Sequence, residues 1–291
     1  MKKILLVVAA VAMLATGRSG AQGLAERVAP PDKEVIAIFE AAGMREVRPH
    51  VLTHGEHSRI EQVLAGLPAL HRSVLEKRLR HLSFVDGIPG HGTGLTSPVE
   101  GSGQFDITLR ASLFDETLSG FLTNKERRLF EADGSGRTVT VEATGMDALA
   151  YVLLHEASHV VDATLGLSTK PGGAFASGIW QDRTTLAPAL ATSQAMTTSF
   201  RRGPLVPVGR SDTIYDALAR TPFVSLYATA AAPEDLAELV TWREIAQQRK
   251  GSLTITISDA DGNQVKRYEP LAFPAVKARM ERLGQLLREA G

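Results

Sequence analysis

The stretch "YVLLHEASHVVD", residues 151–162, places the strongest constraint on the fold of this chain. Apolar side chains flank it on both sides, which predicts a largely buried helix. The same stretch contains His155, Glu156 and His159 in the pattern H-E-x-x-H. Burying these polar groups costs free energy unless each of them has a partner. The chain must therefore fold so that other elements, or a metal ion, supply partners to this helix.

The helix is predicted to cover residues 146–165. Thr144 is followed three positions later by Asp147, which resembles a capping box, and Gly166 is typical of a residue just past a helix end. Residues four apart on a helix lie about 6 Å apart on one face, so two histidines at this spacing can share a metal ion. The alternative is a solvated helix whose polar side chains contact one another without a metal.

The residues after the motif restrict the kind of metal site. A metzincin-type site needs Gly and His at the third and sixth positions after the second histidine, where this chain has Asp162 and Leu165. The remaining candidates are carboxylates in "APEDLAELVTW", where Glu234 and Glu238 share a helix face with the spacing i, i+4. One can bind a metal while the other orients a ligating histidine. The alternative is an acidic first turn favoured by the helix dipole.

The two segments "HEASHVVD" and "SLYATAAAPEDLAE" together resemble the catalytic domain of anthrax lethal factor and its bacterial relatives. These are zinc metallopeptidases of the gluzincin type, in which a tyrosine lies seven residues before the ligating glutamate. The resemblance covers about residues 56–245. Two departures are Leu236, where the family has an aromatic residue, and a Gly/Pro-rich connector, residues 167–212, that lengthens the spacing between the two segments.

The resemblance implies an α+β zincin-like fold with two subdomains flanking a cleft, and an activity that hydrolyses a protein or peptide substrate with Zn²⁺ as cofactor. It also implies a role for each matching residue. The implied zinc ligands are His155, His159 and Glu234, the general base is Glu156, the oxyanion stabiliser is Tyr227, and the residues behind the ligands are Glu238 and Asp162.

The periodicity elsewhere predicts helices first, then strands, then helices with a late hairpin, which is an α+β order. The strand "QFDITL", residues 104–109, is expected to be an edge strand that pairs with an extended substrate; the alternative is an internal strand. The other predicted elements are a helix within 24–50, two helices over 56–82 with a break at 66–68, a strand at 81–87, a strand or helix lead-in at 137–143, a helix from 233 to about 248, a hairpin over 252–270 and a helix over 273–289.

The N-terminus has the layout of a secretory signal peptide. Met1-Lys2-Lys3 is followed by eleven apolar residues, 4–14, and then by small and polar residues. The apolar run is shorter than the ~20 residues that a membrane-spanning helix needs. We therefore expect a signal peptide over 1–21, a mature domain over 22–291 that ends in a hairpin and helix at 251–291, and a bacterial protein that is periplasmic or secreted.

Charge and cysteine content exclude several classes of partner and stabilisation. The 32 basic and 32 acidic residues give no net charge, so charge gives no reason to expect nucleic acid or an anionic membrane as partner. We also expect no membrane span after signal removal. The chain has no cysteine, hence no disulfide. Two alternatives to the peptidase remain: an inactive binding protein with a zincin-like fold, and a zinc amidase acting on cell-wall peptides. The sequence leaves the substrate and the oligomeric state open.

Overall fold

A computed structural model describes the backbone of residues 20–90, 92–170 and 172–290. The chain has an α+β fold, as the sequence predicts, with 48% helix and 20% strand. The predicted signal peptide lies outside the residues whose side chains are described, which begin at Gly23. Over the described ranges, no helix combines the length and apolar character needed to cross a membrane.

The N-terminal half builds a four-stranded sheet with helices around it. The two helices predicted over 56–82 are confirmed as α3 and α4, separated by the break at 66–68, and the strand predicted at 81–87 is confirmed as part of β2. The elements in chain order are α1 (Gly20–Ala25), α2 (Lys33–Ala41), β1 (Arg45–Pro49), α3 (His54–Ala65), α4 (Ala69–Arg78), β2 (Leu79–Ile88), β3 (Gly94–Val99), β4 (Gln104–Arg110), α5 (Leu118–Arg127), β5 (Phe130–Glu131) and β6 (Thr138–Ala143).

The strand order in this sheet is β1-β2-β4-β3. Strand β4 runs parallel to β2 on one side and antiparallel to β3 on the other. The expectation that residues 104–109 form an edge strand is therefore wrong, and β3 occupies that edge. Pro98 explains the arrangement, because proline cannot donate a ladder hydrogen bond and is tolerated at a sheet edge. The side chains of β4 from Asp106 to Arg110 are all buried, as befits an internal strand.

Helix α6 (Ala148–Leu165) confirms the helix predicted over 146–165. The first residue of the predicted capping box is wrong: Asp147 is the N-cap, and its carboxylate accepts a hydrogen bond from the backbone N–H of Ala150. Thr144 instead pairs its hydroxyl with that of Ser252, 3.0 Å away. Gly166 ends the helix in the left-handed region with φ 67°, a conformation that glycine adopts without steric cost.

The C-terminal half contains α7 (Pro188–Ala191), β7 (Val206–Pro207), α8 (Ser211–Leu218), α9 (Ala232–Gln247), β8 (Leu253–Ser258), β9 (Gln264–Tyr268) and α10 (Pro274–Ala290). The predicted helix near 233–248, the hairpin and the last helix are confirmed as α9, β8–β9 and α10. The hairpin adds to β6, so a three-stranded sheet has the order β6-β8-β9. The connector 167–212 contains α7, β7 and short 3₁₀ turns.

Two elements that line the cleft described below, β3 and α5, were not predicted, and neither was β1. The principal hydrophobic core runs continuously from Leu24 to Leu283 and includes side chains from the four-stranded sheet, α6, α9 and α10. The C-terminal hairpin and helix therefore share their core with the segment that carries the H-E-x-x-H motif.

Candidate metal centre

Helices α6 and α9 pack against each other and bring the two halves of the sequence motif together. Most of α6 is buried, including His155 with 6% and Glu156 with 7% of their surfaces exposed. Glu234 lies in the first turn of α9, directly after Pro233. Proline at the start of a helix fixes the backbone in the helical region without removing a needed hydrogen bond. The first turn of α9 therefore holds Glu234 against the middle of α6.

Two histidines and one glutamate converge at this contact. Nε2 of His155 lies 3.1 Å from Oε2 of Glu234, and Nε2 of His159 lies 3.4 Å from the same oxygen. The three side chains offer ligand atoms that all lie within 4.8 Å of one another. The structure thus brings Glu234 to within contact of His155, 79 positions earlier in the chain, and of His159. The three residues form a group that can hold a metal ion.

The charges within this group are strongly coupled. Burial alone would lower the pKa of His155, but its contacts with Glu234 and Glu238 raise that pKa to about 9. Burial alone would raise the pKa of Glu234, but His155 and His159 hold it well below its ordinary value. Glu234 is therefore an anion between two imidazoles, and a cation at this position would replace the proton that His155 carries.

Glu238 lies one turn after Glu234 and is fully enclosed by polar partners. Its carboxylate accepts hydrogen bonds from the hydroxyl of Tyr151 at 2.6 Å and from that of Ser225 at 2.7 Å. Nζ of Lys125 is 3.6 Å away, and Nδ1 of His155 is 3.5 Å away. Burial alone would raise the pKa of Glu238, but Lys125 and these contacts hold it well below its usual range. The anion lies behind His155 and favours the ring orientation that points Nε2 toward Glu234.

Glu156 is held by the edge strand β3. The hydroxyl of Thr96 donates to Oε2 of Glu156 at 2.7 Å, and the same hydroxyl lies 3.1 Å from the backbone oxygen of Glu156. Gly94 lies beside the carboxylate, and a Cβ atom at this position would come within 2.6 Å of Oε1 of Glu156. The edge strand therefore positions the carboxylate both by a hydrogen bond and by the absence of a side chain.

Tyr227 lies beside His155, in the short turn that precedes α9. Its ring centroid is 5.9 Å from that of His155, and Nζ of Lys125 lies 3.5 Å from the centroid over the ring face. Burial, followed by the negative charges of Glu234 and Glu156, raises the pKa of Tyr227 well above its usual value. The hydroxyl consequently keeps its proton and is available as a hydrogen-bond donor.

Asp162 differs from the role that the family resemblance implies. Its carboxylate accepts hydrogen bonds from the backbone N–H of Ser168, at 2.7 Å, and from the Ser168 hydroxyl. No hydrogen bond or ion pair joins it to a histidine among the residues that the structure describes. Asp162 therefore fixes the loop that follows α6, and among the described residues Glu238 is the carboxylate that contacts His155 from behind.

A cleft with a volume of about 820 Å³ opens in front of these residues. His155 and Glu156 from α6 line it together with Gly94 from β3 and Tyr227. A cleft of this size accommodates several residues of an extended chain or a small-molecule ligand. One of the candidate metal ligands, His155, therefore borders the same space as Glu156 and Tyr227.

Thr96, Gly94 and Lys125 are site residues that the sequence does not reveal. None belongs to a motif, and each reaches the site from an element that was not predicted, either β3 or α5. Comparison with models of known protein families, with curated proteins and with solved structures found no match.

Proposed function

We propose that this protein is a zinc-dependent metallopeptidase of the gluzincin type with a zincin-like fold, in which subdomains on either side of the cleft enclose the substrate. The observation that carries the proposal is the convergence of His155, His159 and Glu234, with ligand atoms all within 4.8 Å, beside the carboxylate of Glu156. The family resemblance of the two sequence segments supports the same assignment.

The spacing of the three side chains fits zinc. Nitrogen ligands lie about 2.0–2.1 Å from zinc, and oxygen ligands about 2.0–2.2 Å, so neighbouring ligand atoms of a tetrahedral site lie roughly 3.3 Å apart. The two distances to Oε2 of Glu234, 3.1 Å and 3.4 Å, bracket that separation. Two imidazoles and one carboxylate form a donor set found in catalytic zinc sites, where a fourth position is left for water or substrate.

A bound zinc ion would supply a Lewis acid that lowers the pKa of water and polarises a substrate carbonyl. Glu156 accepts a proton from the attacking water and returns it to the leaving nitrogen. Thr96 keeps the Glu156 carboxylate turned toward the cleft through the 2.7 Å hydrogen bond. The hydroxyl of Tyr227 donates a hydrogen bond to the carbonyl oxygen as negative charge develops there. Lys125 lies over the face of the Tyr227 ring and places a positive charge against it.

The proposal has two rivals, and the groups beside the ligands argue against the first. A scaffold that only binds a metal has no need of a buried carboxylate and a protonated tyrosine bordering the same cleft. A zinc amidase acting on cell-wall peptides would use the same residues and differ only in substrate. We also propose, from the signal-peptide pattern of residues 1–21, that the protein is exported to the periplasm or the medium, where both kinds of substrate occur.

Metal content and hydrolysis, measured together, test the proposal. Elemental mass spectrometry of the purified chain should find one zinc per molecule, and Glu234→Ala should lower that content. Glu156→Gln should keep the zinc and lose hydrolysis of an unstructured protein such as casein, because the amide cannot accept the proton. Cell-wall peptide fragments, assayed in parallel, separate an amidase from a peptidase.

The outcomes separate the two parts of the proposal. If the wild-type chain holds no zinc after reconstitution, both the metal site and the mechanism are disproved. Zinc with no hydrolysis of either substrate class would leave a binding protein. Hydrolysis that persists in Glu156→Gln would disprove the assigned base while leaving the metal site in place.

A further inference from the structure

Helix α5 presents one face to the cleft. Phe121, Asn124, Lys125 and Arg128 all line the cleft, and their spacing of three and four residues places them on the same side of the helix. Lys125 is engaged with Glu238 and the Tyr227 ring. Arg128, at the end of α5, is exposed, and its guanidinium makes no hydrogen bond or ion pair with any residue that the structure describes. Within the described part of the chain, this wall therefore carries a guanidinium without a partner.

Arg110 lies at the end of β4, and its guanidinium carbon is 5.8 Å from the centroid of the Phe121 ring on α5. Only 5% of its surface is exposed, yet its guanidinium has a single charged contact, from Nη2 to Oε2 of Glu116 at 2.6 Å. Its Nε atom is buried and has no hydrogen-bond partner within the described chain. An arginine side chain has five N–H donors, and a buried one normally uses most of them. Because Arg110 lines the cleft, its Nη donors that do not bond Glu116 are the ones that remain for a ligand or for water.

The two arginines act on each other. Burial lowers the pKa of Arg110, and the positive charge of Arg128 lowers it further while Glu116 opposes both. Like charges held close together in a partly desolvated wall are unfavourable, and an anion placed between them relieves the repulsion. Of the carboxylates that line the cleft, Glu156 is held by Thr96, and Glu116 is shared between Arg110 and the Ser112 hydroxyl.

We propose that Arg110 and Arg128 form a subsite that binds a carboxylate of the substrate. The carboxylate belongs to an aspartate or glutamate side chain near the scissile bond, or to the C-terminus of a peptide. A guanidinium pairs with a carboxylate through two parallel hydrogen bonds, which selects this group over an amide of the same shape. The subsite extends the proposed function by naming the substrate class, and it rests on that function only in taking the substrate to be a peptide.

The test uses capped octapeptides in which a single glutamate moves through an otherwise neutral sequence, each paired with the glutamine peptide. Binding to the zinc-loaded Glu156→Gln chain and cleavage by the wild type are measured separately. The glutamate peptide should be preferred by roughly 10- to 100-fold at one position, as expected for hydrogen bonds to a charged group. Glutamine peptides with a free C-terminal carboxylate distinguish a side-chain source from a terminal one.

Three variants identify the residues. Arg128→Gln changes an exposed side chain and should lose most of the preference while folding normally, and Arg110→Gln, checked by thermal unfolding, should lose it as well. Arg282→Gln removes an exposed arginine from α10 and should leave the preference unchanged.

Two results would overturn the subsite: equal binding of the glutamate and glutamine peptides at every position with no preference for a free C-terminus, or a preference that survives in both cleft variants. If the wild type cleaves the glutamate and glutamine peptides equally well, the proposed peptidase activity stands and the subsite is disproved. If the glutamate peptide binds more tightly than the glutamine peptide but the wild type cleaves neither, the subsite stands and the peptidase activity is disproved.

Discussion

At the scale of single residues, the position of Glu156 depends on a residue that contributes no side chain. Gly94 lies against the carboxylate, and a Cβ atom there would come within 2.6 Å of Oε1 and 2.9 Å of Cγ. The crowding involves the middle of the Glu156 side chain and not only its end, so the whole side chain would have to move. A methyl group on β3 therefore tests the role of Glu156 without changing its chemistry.

We expect Gly94→Ala to keep zinc and to lower kcat by roughly 100-fold, the cost of misplacing a reacting group by about 1 Å. Gly55, in α3, has no atom near an added Cβ. Gly55→Ala is therefore the matched control and should retain full activity. Zinc content and kcat of both variants give the comparison, and a fully active Gly94→Ala would show that the carboxylate needs no such fixed position.

His71 makes stability depend on pH through a buried ring that is not itself a candidate ligand. It is 1% exposed, and its Nε2 lies 3.0 Å from the Ser158 hydroxyl on α6. Burial lowers the pKa of His71 from 6.5 to about 4. Both the folded and unfolded states hold a neutral ring above pH 6.5. Between pH 6.5 and 4 only the unfolded state binds the proton, so stability falls as the pH falls and the loss is complete below about pH 4.

This titration alone should lower the free energy of unfolding by about 2 kcal/mol between pH 7.5 and pH 5.0. His71→Gln removes the proton-binding group and should show a smaller decrease over the same range. Urea unfolding at the two pH values measures the decrease in the free energy of unfolding. His57 is an exposed histidine in α3, so His57→Gln is the control and should behave like the wild type. Equal decreases in the wild type and in His71→Gln would show that the buried ring does not contribute.

At the scale of elements, α10 supports the helix that carries Glu234. Arg279 on α10 donates two hydrogen bonds to Asp235, at 2.8 Å and 2.7 Å, and both side chains are buried. Trp180 in the connector donates its indole N–H to the same carboxylate at 2.8 Å. Asp235 is the residue after Glu234, so the C-terminal helix and the connector together fix the first turn of α9.

Arg279→Met should lower stability by about 3–5 kcal/mol, because it leaves a buried carboxylate without its counter-ion. The same variant should weaken zinc binding, since the first turn of α9 loses its support. Arg282→Met removes an exposed arginine of the same helix and should change stability by less than about 0.5 kcal/mol. Unfolding curves and zinc titrations of both variants supply the test; identical behaviour would mean that α10 is not coupled to the site.

Elements were predictable from sequence where the apolar spacing was strong. Helix α6 has a continuous apolar flank and a terminal Gly166, and the hairpin has alternating residues around a turn. Strand β3 has neither signal, since it contains Gly94, Pro98 and polar residues, and its strand conformation comes from pairing with β4. The same applies to the site: the motif identified the residues on α6 and α9, whereas Thr96 reaches Glu156 through that unpredicted pairing.

At the scale of the whole molecule, the candidate metal ligands join α6 to α9, two helices that contribute to the principal core. A ligand that binds only the folded state stabilises it by about 4 kcal/mol at a thousandfold excess over its dissociation constant. For a chain of this size, that corresponds to roughly 8–16 °C in the unfolding temperature. A chelator should therefore lower the unfolding temperature of the wild type by about this amount.

The chelator should have little effect on Glu234→Ala, which lacks the carboxylate that joins the two helices. Thermal unfolding of both proteins, with zinc and with chelator, measures the coupling. A wild-type chain whose unfolding temperature does not respond to the chelator would contradict a zinc site that links α6 to α9.

The pairing of β6 with β8 also determines when the site can assemble. Strand β6 leads into α6, but its partner comes from the C-terminal hairpin, and the flanking residues Thr144 and Ser252 are 108 positions apart. Such non-local contacts form late and slow the folding reaction. As the ribosome releases the chain from its N-terminus, β6 has α5 beside it but no partner strand, and Asp235 has no Arg279, until the last segments emerge. The support of α6 and α9 is therefore completed only when synthesis is almost finished.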